Sequence, residues 1–234
     1  MAISDTITSM QNHLKSAYDK VSEKGGTVPS EKNMANLSEA IGTVPSGDNT
    51  LLNSLIDRSI TEISNDEVKS VGHSAFRACK NLKTATFEKA TIFYGYTFYE
   101  CTSITTFNAP NAIATYDSDF YGCSSLTTFN VSNISSLAYR SLMNCSSLTK
   151  LNFNKIDRIR DNVFNGCTAL KTLIIRSSSV CTLMYINSFS NTPISTSTTE
   201  GFIYVPDDLV ESYKSATNWS TYASKIKPIS DLGE

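Results

Sequence analysis

Five cysteines, Cys79, Cys101, Cys123, Cys145 and Cys167, stand 22 residues apart. Neither metal ligation nor thiol catalysis imposes so long and constant a spacing. A chain wound into coils of equal length does, because each turn returns the same position to the same column. Other columns keep the same period. Three residues before the cysteines stand Phe76, Phe98, Phe120, Leu142 and Phe164; three after stand Leu82, Ile104, Leu126, Leu148 and Leu170. Six and eight after come the pairs Ala85/Phe87, Phe107/Ala109, Phe129/Val131, Leu151/Phe153 and Leu173/Ile175. Val71, Phe93, Thr115, Leu137 and Ile159 lie eight before, and Val68, Ala90, Ala112, Ile134 and Ile156 eleven before; Thr115 alone is polar in these six columns.

The plus-six and plus-eight columns alternate with polar neighbours, the period of a strand. Ala85/Phe87 and Phe107/Ala109 exchange small and large, which keeps the filled volume level from coil to coil. A single coil cannot bury its apolar face, but coils stacked with parallel strands ~4.8 Å apart can. The strings Ala75-Phe76-Arg77-Ala78-Cys79-Lys80-Asn81-Leu82 and Val163-Phe164-Asn165-Gly166-Cys167-Thr168-Ala169-Leu170 resemble the BspA-like leucine-rich-repeat family. The resemblance covers roughly residues 60–205. It implies an α/β leucine-rich-repeat solenoid of 22-residue rungs, with a parallel sheet on one face. Proline after the strand occurs only at Pro110, which leaves the curvature open.

An open stack exposes apolar ends and needs caps. Three parts are expected: a helical attachment or oligomerisation module, 1–47; the solenoid, 51–200, with a degenerate first rung over 51–65; and a strand–helix C-terminal cap, 201–234. Counting back 22 from Cys79 reaches Asp57 and places Ile60 and Ile63 in the plus-three and plus-six columns. Cys181 falls off the ladder, and Phe189 reads as the next residue of the phenylalanine column, displaced by three. A Ser/Thr-rich turn is expected over 188–199, then a closing strand, Gly201 to Pro206. Asp207 or Asp208 would cap a helix over 209–215. Asn218 would cap another from Trp219 to about Ile226, stopped by Pro228. The string Tyr204-Val205-Pro206 through Trp219 to Pro228 looks like the terminal cap of the same family, with Tyr213, Trp219 and Tyr222 plugging the stack.

In the first segment Ile3, Ile7, Met10, Leu14, Ala17 and Val21 form an a/d seam over three heptads. Gly25-Gly26 ends that helix, and a second is expected from Ser30 to Ile41. The hairpin either packs on itself or the solenoid, or makes the chain a homo-oligomer through residues 3–21. Ile3-Ser4-Asp5 through Met10-Gln11-Asn12-His13-Leu14 to Ala17-Tyr18, with Lys32-Asn33-Met34-Ala35-Asn36-Leu37 and Ala40-Ile41, resembles amino-terminal modules of phage structural (tail or baseplate) proteins from Gram-positive gut bacteria.

Charged residues make up 18% and the net charge is −2, so no basic field exists to hold nucleic acid or an anionic membrane. No run of ~18 apolar residues spans a bilayer, and Met1 to Met10 has no basic n-region or apolar h-region, so no secretory signal is expected. No cofactor or metal is expected. The stacked cysteines read as buried thiols packed as small hydrophobes, although neighbouring coils bring them within disulfide range. His13 and His73 lie in different modules without a nucleophile and carboxylate beside them in sequence, and Cys181 reads as packing before reactivity. Asn36, Asn133, Asn144 and Asn218 open glycosylation triplets that read as accidental without a secretory signal.

Two surfaces remain as candidates. Thr84, Thr86, Thr106, Asn108, Thr128, Asn130, Lys150 and Asn152 form a lattice of amides and hydroxyls on the outer strand face. It suits a glycan or a polar protein surface, and equally serves solubility. Tyr94, Tyr96, Tyr99, Tyr116, Tyr121 and Tyr139 cluster along the turn edge, either as an adhesive surface or packed between turns. The residues therefore point to a non-enzymatic structural or binding protein that engages a protein or cell-surface glycan. A phage virion or tail-associated component, in the particle or the host cytoplasm, is the first setting; a BspA-like adhesin at the bacterial surface is the second.

Overall fold

The computed structural model describes Asp19, Val21, Ser22, Thr27 and residues 58–197 and 199–233. The chain divides at Ile60/Thr61 into two units. In the first, Val21 is helical and buried. The other five seam residues, the second expected helix and His13 lie outside the described residues.

The second unit is a stack of rungs. Each rung crosses two parallel ladders and closes through a run of turns. In the first ladder β1 (Glu62–Ser64), β3 (Thr84–Thr86), β5 (Thr106–Asn108) and β6 (Thr128–Asn130) pair in that order. The register places Ile63 opposite Ala85, Ala85 opposite Phe107 and Phe107 opposite Phe129. Residues 22 apart are thus vertical neighbours, and the degenerate first rung holds that register at Ile63. A second sheet follows: β8 (Lys150–Phe153), β10 (Thr172–Ile175), β12 (Phe202–Val205) and β13 (Ile226–Pro228).

The single sheet expected from the repeat is therefore two. Among the described residues β6 and β8 form no ladder. Two rings in consecutive plus-six positions, Phe107 and Phe129, stack with centroids 5.6 Å apart, wider than the ~4.8 Å strand spacing. Phe129 is left half-exposed where Phe107 and Leu151 are buried.

On the other side, β2 (Ser70–Val71) and β4 (Ile92–Phe93) continue by single bridges at Ala114 into β7 (Ser136–Leu137), β9 (Arg158–Ile159) and β11 (Thr182–Leu183). Thr115, the polar exception, has a structural use here. Its buried hydroxyl accepts the Ala138 N–H at 2.9 Å, supplying a rung-to-rung bond where the strand is interrupted.

The turn that carries the cysteine has two residues per rung in the left-handed region. Five before the cysteine stand Ser74, Tyr96, Ser118, Arg140 and Asn162, with φ between 54° and 58°. One before it stand Ala78, Glu100, Gly122, Asn144 and Gly166. Such a backbone disfavours most side chains. It turns alternate N–H groups along the stack: those of Ser74, Phe76 and Ala78 bond to Gly95, Thr97 and Tyr99 carbonyls of the next rung. Local bonds such as Cys79 N–H to Phe76 carbonyl fill the positions between.

The core is a column of rings beside a column of thiols. Phe76, Phe98 and Phe120 stack with centroids 5.2 and 5.1 Å apart, and Phe164 and Phe189 at 5.3 Å. Phe189 thus does continue the phenylalanine column. All six cysteines are buried and none is in a disulfide. The thiols of Cys101, Cys123, Cys145 and Cys167 donate to the carbonyls of Phe76, Phe98, Phe120 and Leu142, at 2.9 to 3.2 Å. Each of those carbonyls also accepts the N–H three residues on. Cysteine therefore fills the volume of a small hydrophobe and occupies a second carbonyl lone pair that a plain alkyl group would leave empty.

At the C-terminal end, a short helix α1 (Pro193–Thr196) starts on Pro193 inside the expected Ser/Thr-rich turn. Gly201, at φ +78°, lies so close to the Pro193–Ile194 backbone that a Cβ would collide with it. The closing strand is β12. Helix α2 (Val210–Ser215) follows a 3-10 turn, Asp207–Leu209, and neither aspartate caps it; the Asp207 carboxylate instead accepts the Ser230 N–H at 3.2 Å. Trp219–Lys225 is a 3-10 segment rather than an α-helix, and residues 226–228 form β13 beside β12. Asn218 makes no side-chain cap there, because its amide donates to the Leu183 and Met184 carbonyls at 2.8 and 2.9 Å.

Tyr213, Trp219 and Tyr222 are buried. Their polar ends close off the backbone of the last rung. Cys181 N–H donates to the Tyr213 hydroxyl at 2.9 Å, Trp219 Nε1 donates to the Cys181 carbonyl at 2.5 Å, and Tyr222 donates to the Ile186 carbonyl. An open end would leave these groups unpaired.

Candidate binding surfaces

The outer strand face uses its polar groups on itself. Asn108 Nδ2 donates to Glu88 Oε1 at 2.9 Å, and Asn130 Nδ2 to Asn108 Oδ1 at 2.7 Å. Arg176 Nε donates to Asn152 Oδ1 at 3.2 Å. Thr84, Thr86 and Thr106 are half-buried, and Thr128, Lys150 and Asn152 exposed. The lattice is also split, since Asn130 and Asn152 lie on the two sheets that do not pair. Amides already bonded in a ladder offer a ligand less than free ones would.

The tyrosines fall into separate groups on the turn edge. Tyr94 and Tyr116 face each other at 5.8 Å, each 43% exposed. Tyr96, Tyr99 and Tyr121 form a half-buried run, with Tyr99 and Tyr121 stacked at 4.9 Å and 7° and the Arg77 guanidinium 4.9 Å from the Tyr99 ring centroid. Tyr139 stands apart, under Arg140 at 4.6 Å. His73 lies 5.5 Å from Tyr96 and bonds Ser74 Oγ at 2.9 Å.

The same edge holds residues that the repeat columns did not flag. Among the described residues the exposed large apolar side chains are Tyr94, Ile113, Tyr116, Met184, Tyr185 and Ile186. Every one flanks the second ladder. Their sequence signal is weak, because it lies in departures from the repeat rather than in the repeat.

A buried carboxyl braces the loops behind Tyr94 and Tyr116. Asp119 is fully buried; its Oδ2 accepts the Tyr116 N–H at 2.6 Å and its Oδ1 the Thr97 N–H at 3.2 Å. Burial pushes its pKa up to about 7, with Asp117 adding in the same direction; the backbone donors pull the other way but do not prevail. The folded state thus holds this proton more tightly than the unfolded chain, whose carboxyl titrates near 3.8. The stability contribution is complete below about pH 4 and is lost as pH rises through about 7. The melting temperature should fall across that window, and Asp119→Asn should flatten the slope when thermal unfolding is followed by circular dichroism. A slope unchanged in Asp119→Asn would assign the titration elsewhere.

Three of the thiols are held protonated. Burial raises the Cys123 and Cys145 pKa well above the ordinary thiol value and that of Cys181 to about 12, so thiolate is scarce. The amide nitrogens of Asn133 and Asn218 donate to the Pro110 carbonyl and to the last rung, so modifying either would break those bonds. Among the described residues no His/Cys/Asp/Glu group could hold a metal, and no helix is long and apolar enough to cross a membrane.

Wound parallel ladders on a 22-residue period, a cysteine–phenylalanine core and polar or aromatic outer columns define a leucine-rich-repeat protein. The family description "BspA type leucine rich repeat region" matches six copies over residues 53–171 and 93–216, and the chain belongs to that family. Such proteins are typically non-enzymatic and mediate binding. A leucine-rich repeat protein from Bacteroides ovatus has the same fold, with TM-score 0.57 and 22% identity, over 73% of this chain and 42% of that one. A leucine rich cell surface protein from Faecalibacterium prausnitzii aligns at 16% identity and TM-score 0.48, over 68% of this chain and 45% of that one. The aligned region is thus less than half of each of those chains. No curated protein sequence matches.

Proposed function

We propose that this solenoid is a binding module that engages a protein partner through its tyrosine edge. The observation behind it is distribution: among the described residues the exposed large apolar side chains lie on that edge, while the amides of the strand face bond one another. Contiguous exposed apolar surface rimmed by polar groups marks interaction sites. Composition favours protein over glycan: Ile113, Met184 and Ile186 stand exposed with the tyrosines and offer a sugar no ring face.

The family match is consistent with an adhesin displayed at the bacterial surface, which becomes the first setting. The phage-particle setting rests on residues 3–41, and the matched residues begin at 53.

Arrays of cell-surface proteins and glycans test the reading. The wild-type chain should mark protein spots, and Tyr94→Ser with Tyr116→Ser should weaken binding by roughly 30-fold, the effect of losing ~2 kcal/mol at an interface centre. Asn108→Ala with Asn130→Ala and Asn152→Ala should leave it unchanged. The reverse pattern would move the site to the strand face.

A further inference from the structure

In a stack of near-identical rungs, a solvent-facing column that changes character locally is informative. The residue nine before each cysteine faces outward on the second ladder. It is Ser70, Ile92, Ala114, Ser136 and Arg158 in successive rungs. It turns apolar at two adjacent rungs only, Ile92 and Ala114, which are bridged to each other and half-exposed. Ile113, 49% exposed, and the Tyr94/Tyr116 pair belong to the same two rungs. Neither solubility nor core packing calls for five outward apolar groups side by side.

The groove beside this patch is lined by one sign of charge; carboxylates lie outside it, Asp117 next to Tyr116 in the chain and Asp157 in the adjoining hollow with Lys155. In this open groove of about 610 Å³, Lys69, Lys89 and Lys155 surround Ile113, with Asn111 and Asn133 between them and no carboxylate in the lining. Lys89 is bridged to Glu67 just outside at 3.2 Å, both side chains largely exposed, and Lys69 and Lys155 are exposed. The asparagines are structural: Asn111 Nδ2 donates to the Glu88 carbonyl and Asn133 Nδ2 to the Pro110 carbonyl. The groove floor is thereby held, and the lysines supply the field. This cationic spot lies on a chain of net charge −2.

We propose that the patch of Ile92, Tyr94, Ile113, Ala114 and Tyr116, with Lys69 and Lys155, receives a protein segment that presents apolar side chains next to carboxylates. The proposal rests on the tyrosine edge being the binding surface, and adds the chemistry of the partner. Apolar contact supplies affinity at the centre. The lysines select the acidic flank and speed encounter, in a manner that salt weakens.

Panning a random peptide display library on the full chain, with counter-selection on Ile113→Asp, tests it. Enriched peptides should combine Leu, Phe or Trp with neighbouring Asp or Glu. In fluorescence anisotropy their affinity should fall about tenfold or more in Lys69→Glu with Lys155→Glu, and fall with added salt. Lys80→Glu, an exposed charge elsewhere, should change nothing. Enriched peptides that lack acidic residues, or affinity untouched by the double lysine change, would overturn the proposal. So would self-association in sedimentation that Ile113→Asp abolishes, since the occupant would then be a second copy. If array binding still depends on Tyr94 and Tyr116 in those cases, the edge reading stands and only the acidic partner falls. If array binding ignores those tyrosines, the edge reading falls as well.

Discussion

Phe98→Ala should destabilise the solenoid by about 3–5 kcal/mol, the range for emptying a buried aromatic site. Phe98 is fully buried and at the centre of the ring column. It stacks between Phe76 and Phe120, meets Phe107 edge-on at 5.2 Å, and contacts Phe87 and Phe93 at 6.2 Å. Its backbone carbonyl also accepts the Cys123 thiol and the Cys101 N–H. Rungs touch only their neighbours, so a cavity here weakens the coupling between the first rungs and the rest. The melting temperature should drop on the order of 10 °C for a chain of this size. The same change at Tyr94, 43% exposed, should cost within about 0.5 kcal/mol. Equal losses at the two positions would mean that the ring column is not the core.

The cysteine spacing made the stack legible because period and column are one fact: any residue repeated every 22 must meet its copies. For the same reason Ile63 and Phe189 could be placed at the two ends, despite the loss of cysteine. What the columns could not show is how the backbone travels between them. The paired left-handed residues of each turn are spelled Ser, Tyr, Ser, Arg, Asn and Ala, Glu, Gly, Asn, Gly. Only the glycines and asparagines hint at the conformation; stacking imposes it on the others. The end of the first sheet at β6 was equally hidden, because Phe129 fits its column in sequence, and only the fold shows its ring half-exposed where β6 and β8 form no ladder. In the cap, Asn218 and Pro228 frame a helix from the sequence, but Trp219 to Lys225 follows a 3-10 path in which Trp219 and Tyr222 each donate to a carbonyl of the last rung, and Ile226 pairs with β12.

The surfaces were legible in part. Grouping the tyrosines treated six residues as one cluster, whereas the fold separates them and sets Tyr139 under Arg140. The strand-face asparagines were identified correctly as a column, but a column of amides at strand spacing can bond to itself, and that is what Asn108 and Asn130 do. Ile113 escaped notice because its column holds Lys69, Thr91, Ser135 and Asp157 in the other rungs. Asp119 escaped for a similar reason: its column reads Ala75, Thr97, Ser141 and Val163 elsewhere, and only the fold shows that it points inward onto two N–H groups.

Removal of one whole coil is the most direct test of the stack. Excising residues 102–123 joins Cys101 to Ser124 and deletes 22 residues, so every remaining side chain keeps its column. An excision two residues shorter, 102–121, rotates all later columns out of register. The first protein should unfold cooperatively in urea with a reduced midpoint and an unchanged circular dichroism shape; the second should show no cooperative transition. Equal behaviour of the two, folded or collapsed, would contradict a fold built on vertical neighbours one period apart.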